Sequence, residues 1–139
     1  MNPKQFLMLG GIVLLLLGIV GLLGIFTKEN TSFFWLDSGE NWAHIFLGVV
    51  ALAAVYVPAL NSALAPYYKV IVVLVGVLAL FFGAYGFLVA GNAEPNTFGV
   101  ANLESPFDNV LHLLVGAWAL WAVYNPAAQK ETASMGSQA

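Results

Sequence analysis

Two unbroken apolar runs, near Phe6–Phe26 and Val70–Ala90, limit what this chain can become more than any other feature. Each holds about 20 residues, enough for a helix rising 1.5 Å per residue to cross roughly 30 Å of hydrocarbon. The whole sequence agrees: 60% of its 139 residues are hydrophobic and 8% charged, where a soluble domain carries about a quarter charged residues. The spacing predicts a membrane protein.

Two further spans follow from signals at their ends. The apolar stretches Trp42–Val57 and Val110–Tyr124 are short, and reach spanning length only if the polar turn before each is helical. Asp37 stands three residues before Glu40, and Ser105 three before Asp108 with Pro106 between. Both read as capping boxes, in which an N-cap oxygen and an acid at the third helical position satisfy the first free amides; Pro106 then falls at the first helical position. The acids also suit the positive end of the helix dipole. Pro58 and Pro126 stand where a helix stops. The expected fold is all-α: four antiparallel transmembrane helices in an up-down bundle.

The four spans are written as two similar hairpins. Asn41, His44, Gly48, Ala51, Leu52, Ala54, Val55, Tyr56 and Pro58 find the same residue type 68 positions later, from Asn109 to Pro126. Gly11, Gly18 and Gly21 likewise share their spacing with Gly76, Gly83 and Gly86, 65 positions on. One membrane domain is therefore expected, with repeat one at about residues 5–58, repeat two at about 70–126 and a polar tail at 127–139. Each repeat has two spans, so both enter the membrane in the same sense and their symmetry axis lies along the membrane normal. That arrangement argues against an inverted-repeat transporter.

Charge sets the orientation. With the amino terminus cytoplasmic, Lys4, Lys69 and Lys130 fall inside and only Lys28 outside, a positive-inside bias that places both termini in the cytoplasm. Six acids, Glu29, Asp37, Glu40, Glu94, Glu104 and Asp108, then crowd the outer face. Without arginine there is no polybasic lipid patch, and nucleic acid is not an expected partner. The absence of cysteine excludes disulfides and thiolate metal sites. The first span exceeds a signal-peptide core and is read as a retained anchor. Phe33, Phe34 and Trp35 read as interfacial anchors, as do Trp42, Trp118, Trp121, Tyr56 and Tyr124. Residues 59–66 are expected to be a short inner connection, and the tail is expected to be disordered.

The glycines Gly11, Gly18, Gly21, Gly76, Gly83 and Gly86 read as helix-packing positions, since in lipid small residues let backbones approach. Asn41, His44 and Gly48 fall at i, i+3 and i+7 on one helix face, and Asn109, His112 and Gly116 repeat the pattern. Both histidines lie about 10 Å below the outer helix ends by the standard rise. Two readings stand side by side. Asn and His hydrogen-bond across the bundle and set its register; or His44 and His112, from diagonally opposite helices, hold a haem iron or two chlorophyll-type magnesium centres, with Gly48 and Gly116 clearing space and the asparagines orienting the imidazoles. No haem-attachment motif accompanies them. Glu40 and Asp108 as acid/base partners or metal ligands are the weaker alternative to their capping role. No H-E-x-x-H, nucleophile elbow or phosphate-cradling loop is present.

The N-x-x-H-x-x-x-G pattern on the second and fourth of four spans resembles a family of small bacterial membrane proteins described as a domain of unknown function. The similarity covers most of residues 5–126. It implies the four-helix fold and a bacterial source, and brings no activity with it; the expected location is then the bacterial inner membrane. The functional expectation is a non-enzymatic accessory or scaffold subunit that packs in the lipid bilayer against other membrane subunits or against itself. No cofactor and no metal are expected in that case. The alternatives are a tetrapyrrole-binding redox or pigment subunit using His44 and His112, and a small transporter or channel, for which no polar path is visible in the inner half.

Overall fold

The computed structural model describes residues 1–26 and 34–128. Phe33, Lys28, Lys130 and the tail from residue 129 lie outside the described residues. The described chain is helical, and four of its segments are long and apolar enough to cross a membrane: Pro3–Leu22, Ser38–Tyr56, Pro58–Val89 and Phe107–Ala128.

Helix α1, Pro3–Leu22, opens on a capping box in which Asn2 Oδ1 accepts the Gln5 amide at 2.9 Å and Gln5 Oε1 accepts the Asn2 amide at 3.0 Å. Helix α2, Ser38–Tyr56, opens on the box expected from sequence: Asp37 Oδ1 accepts the Glu40 amide at 2.8 Å, and Glu40 Oε2 accepts the Asp37 amide at 2.9 Å. Pro58 does more than end α2. Val57 is extended, and Pro58 becomes the first residue of a short helix α3, Pro58–Leu64. A 3-10 turn, Ala65–Tyr67, then leads into α4, Tyr68–Val89. The expected inner connection is thus helical. Its geometry has a cost, because Pro58 lacks the N–H that would have reached the Ala54 carbonyl. The Tyr68 hydroxyl donates to that carbonyl at 2.6 Å and lies 2.8 Å from Asn61 Oδ1.

Helix α5, Phe107–Tyr124, departs from the capping expectation. Its N-cap is Pro106, no side chain caps it, and Asp108 falls at the second helical position. Ser105 therefore does not play the part of Asp37. The helix starts at Phe107, one residue later than the repeat alignment with Ser38 places it. Residues 126–128 form a further helical turn.

The two hairpins, α1–α2 and α4–α5, are each closed along their length, and they meet chiefly where α1 touches both α4 and α5. At the end that carries Met1 and Ala128, which we call the terminal end, Phe6, Leu7, Tyr68, Val72, Ala122 and Val123 share one apolar core. Phe6 stands edge-on to Trp118 at 4.7 Å between ring centroids. Asn125 Nδ2 donates to the Met1 carbonyl at 2.9 Å, and Trp118 Nε1 lies 3.0 Å from Met1 Sδ. The opposite end carries residues 90–106 and is called the loop end.

Candidate functional site

Each hairpin is closed by glycine against backbone, and the two make equivalent contacts. A β-carbon added at Gly18 would stand 2.6 Å from the Asn41 carbonyl oxygen, and one at Gly83 would stand 2.8 Å from that of Asn109. A β-carbon at Gly21 would overlap the Asn41 side chain, and one at Gly86 that of Asn109. Gly48 and Gly116 face back toward the same partner helices, 2.9 Å from the Gly11 and Gly76 carbonyl oxygens on the same measure. Asn41 and Gly48 therefore look into the α1–α2 seam, and Asn109 and Gly116 into the α4–α5 seam. The space beside Gly48 and Gly116 is filled by α1 and α4.

Asn41 and Asn109 are buried, at 4% and 0% exposure. Asn41 Oδ1 and both polar atoms of the Asn109 amide have no hydrogen-bond partner among the described residues. Their approach to glycine suits Cα–H···O contacts, which recur between helices. Nothing in the described residues pairs the Asn109 Nδ2 group.

The histidines sit beside this seam, at the loop end. His112 Nδ1 lies 3.0 Å from the Asp108 carbonyl oxygen and 3.1 Å from Asp108 Oδ1, so a neutral ring carries its proton there and donates to Asp108. Phe82 packs against the other side of that ring, 6.3 Å between centroids. His44 Nδ1 is buried and unpartnered among the described residues. The same position in the two hairpins thus has two surroundings.

The loop between α4 and α5 supplies what sequence reasoning missed. Thr97 and Ala101 close a tight turn, with Phe98 at a positive φ of 51° and its ring stacked on Tyr85 at 5.2 Å. Asn96 and Asn102 brace it from within, through Asn96 N to Asn102 Oδ1 at 3.1 Å and Leu103 N to Asn96 Oδ1 at 2.9 Å. Asn102 then crosses to the first hairpin, its backbone N–H donating to Asp37 Oδ2 at 2.7 Å and its amide at 3.2 Å. This folding places Glu104 over the start of both α2 and α5.

Glu40, Glu104 and Asp108 consequently form one cluster, with a carboxylate oxygen from each within 4.8 Å of the others. Glu40 and Asp108 are 8% and 3% exposed. Both Glu104 oxygens and Asp108 Oδ2 are buried without a hydrogen-bond partner among the described residues. Burial, followed by the neighbouring charge of Asp108, pushes the Glu104 carboxyl up to about 8. Glu104 also lines a cavity of about 270 Å³ at the loop end, shared with Trp35, Glu94, Asn96, Asn102 and Phe107. Asp37 and Glu40 keep their capping role, whereas Asp108 is turned to His112 and the other acids. Glu104 carries no sequence signal beyond its charge.

The fold and this cluster define an all-helical chain with four segments able to cross a membrane and an acid–histidine group buried at one end. Comparison with models of protein families, with curated proteins and with solved structures gives no match to the chain.

Proposed function

We propose that the chain is a non-enzymatic accessory subunit of a larger membrane assembly, or of an assembly of its own copies. It would lie in a bacterial inner membrane with both termini cytoplasmic and the loop end outside. One observation carries this reading: the described acids and histidines are gathered at the loop end, and the hairpins beyond it are closed by glycines that leave no room between the paired helices. From Ile45 to Val55 in α2, Leu113 to Val123 in α5, Val70 to Ala84 in α4 and through all of α1 beyond Gln5, no side chain is ionisable. Such a middle offers neither a reactive group nor a polar path, so a transporter or channel is less well supported. The outward faces instead present large apolar side chains at Phe46, Leu88 and Leu114, at 66%, 81% and 61% exposure. The matched contacts of the two hairpins support an origin of both from one packing unit.

The test is site-specific photo-crosslinking in native membranes from Phe46 and Leu114. A discrete protein adduct from at least one position is expected, either to another membrane protein or to a second copy. Lipid adducts alone, from both faces, would remove the accessory reading.

A tetrapyrrole held by His44 and His112 is the second reading, favoured by the unpartnered Nδ1 of His44. The filled space at Gly48 and Gly116 weighs against it, because those glycines leave no room toward a macrocycle. A visible absorption spectrum of protein from native membrane, with and without dithionite, decides it. A Soret band lost in the double His→Ala variant would establish ligation.

A further inference from the structure

The carboxylate cluster at the loop end has the form of a cation site. Two oxygens bound to one ion at about 2.0–2.6 Å stand no further apart than twice that length, and the oxygens of Glu40, Glu104 and Asp108 lie within 4.8 Å of one another. Two of the three carboxylates are already oriented by a hydrogen bond to one oxygen. Glu40 Oε2 accepts the Asp37 amide at 2.9 Å, and Asp108 Oδ1 faces His112 Nδ1 at 3.1 Å. Ligating carboxylates are commonly held in this way from outside.

A second feature points to a ligand independently of the acids' proximity. Asp108 is 97% buried, yet its Oδ2 has no partner among the described residues, and the same is true of both buried oxygens of Glu104. A buried anionic oxygen left unpaired is costly, and a cation or a proton must answer it.

We propose that Glu40, Glu104 and Asp108 bind a hard divalent cation of the calcium or manganese kind, with His112 positioning Asp108. The donor set selects the class. Neither histidine brings a nitrogen within 4.8 Å of all three oxygens, and no cysteine exists, so the ligands are oxygen alone, a set that suits magnesium, calcium and manganese more than zinc. Between these hard ions, magnesium demands near-ideal octahedral geometry and gives up its water reluctantly, whereas calcium accepts a flexible shell; manganese shares the preference for carboxylate, carbonyl and water oxygens. Water from the cavity lined by Glu104 completes the coordination. Glu40 belongs to α2, Asp108 to α5 and Glu104 to the loop, so the bound ion joins the two hairpins. This assignment does not rest on the accessory reading.

The experiment uses the full chain in mild detergent, stripped with chelator and titrated with calcium, manganese or zinc chloride by calorimetry and by melting temperature. Saturable binding of about one calcium or manganese per chain is expected, with a rise in melting temperature. Glu104→Gln and Asp108→Asn should each weaken it by at least about tenfold, and His112→Ala by about 10–100-fold, as loss of an orienting partner does. Misfolding is told apart from lost binding by the melting curves of the stripped proteins, in which Glu104→Gln should melt no lower than the native chain. The proposal is overturned if neither calcium nor manganese binds saturably. It is equally overturned if their binding is unchanged in Glu104→Gln and Asp108→Asn, or if zinc alone binds. A stripped protein whose stability answers to protons and to no cation would show that protonation settles the cluster instead.

Discussion

Asp37 holds two partners at once: Oδ1 caps α2 at the Glu40 amide, 2.8 Å away, while Oδ2 accepts the Asn102 backbone N–H at 2.7 Å. One carboxylate thereby starts a helix in the first hairpin and anchors the loop of the second.

Replacing Asp37 separates those roles. Asp37→Asn retains a capping oxygen, whereas Asp37→Ala loses both the cap, about 0.5–2 kcal/mol, and charge-assisted bonds of about 1.5–3 kcal/mol. Asp37→Ala should therefore lower unfolding stability by about 2–5 kcal/mol and Asp37→Asn by clearly less. Reversible denaturation in mixed micelles measures it, and equal losses in the two variants would contradict the double role.

The glycine contacts differ in what obstructs them. At Gly21 the obstacle is the Asn41 side chain; at Gly18 it is the Asn41 carbonyl oxygen together with Ile45, through both its Cγ1 and its amide nitrogen. Both Gly→Ala changes should destabilise by about 1–3 kcal/mol or more. Adding Asn41→Ala should recover much of the Gly21→Ala loss and none of the Gly18→Ala loss. A double-mutant cycle on melting curves reads the coupling, and its absence at Gly21 would mean the side chain can step aside.

Tyr68→Phe removes the donor that replaces the N–H missing at Pro58. The Ala54 carbonyl is then left unsatisfied in a buried place, and a loss of about 1–3 kcal/mol is expected. Amide hydrogen exchange should rise around the α2–α3 junction and not at the loop end. Uniform exchange would show that the junction does not depend on this bond.

Glu104 gives a pH dependence with a definite sign. Its carboxyl is pushed up to about 8 in the folded protein from an ordinary value of 4.5. Between these values the folded state holds a proton that the unfolded state has released, so stability contributed by this group is full below the ordinary value and lost as pH rises toward about 8. The chelator-treated chain should melt lower at pH 8 than at pH 5. Glu104→Gln should flatten that difference, and identical profiles for the two proteins would remove Glu104 as its source.

What the sequence disclosed, and what it withheld, follows from how local each feature is. The spans and the cap at Asp37 rest on residues within a few positions of one another, and they are legible for that reason. The Ser105 box does not form although its residue types are suitable, because α5 begins at Phe107 and Asp108 then stands at the second helical position, not the third. Pro58 carried both an ending and a beginning, and only the first was read. The i, i+3, i+7 spacing of Asn41, His44 and Gly48 says nothing about which neighbour each side chain meets, and only Asn41 and Gly48 look into the α1–α2 seam. Glu104 was the least legible: it reaches Glu40 and Asp108 only through the braced turn of Asn96, Thr97, Ala101 and Asn102.

The seam contacts have a bearing on the order in which the chain is made. Every partner that Gly11, Gly18 and Gly21 meet lies by residue 52, so the first seam needs nothing from the second hairpin. Asp37 must wait 65 residues for Asn102, and Met1 must wait 124 for Asn125. During that interval Glu40 has its Asp37 amide but neither Glu104 nor Asp108 beside it. The first hairpin is thus complete in its packing and unfinished in its charge until translation reaches the second.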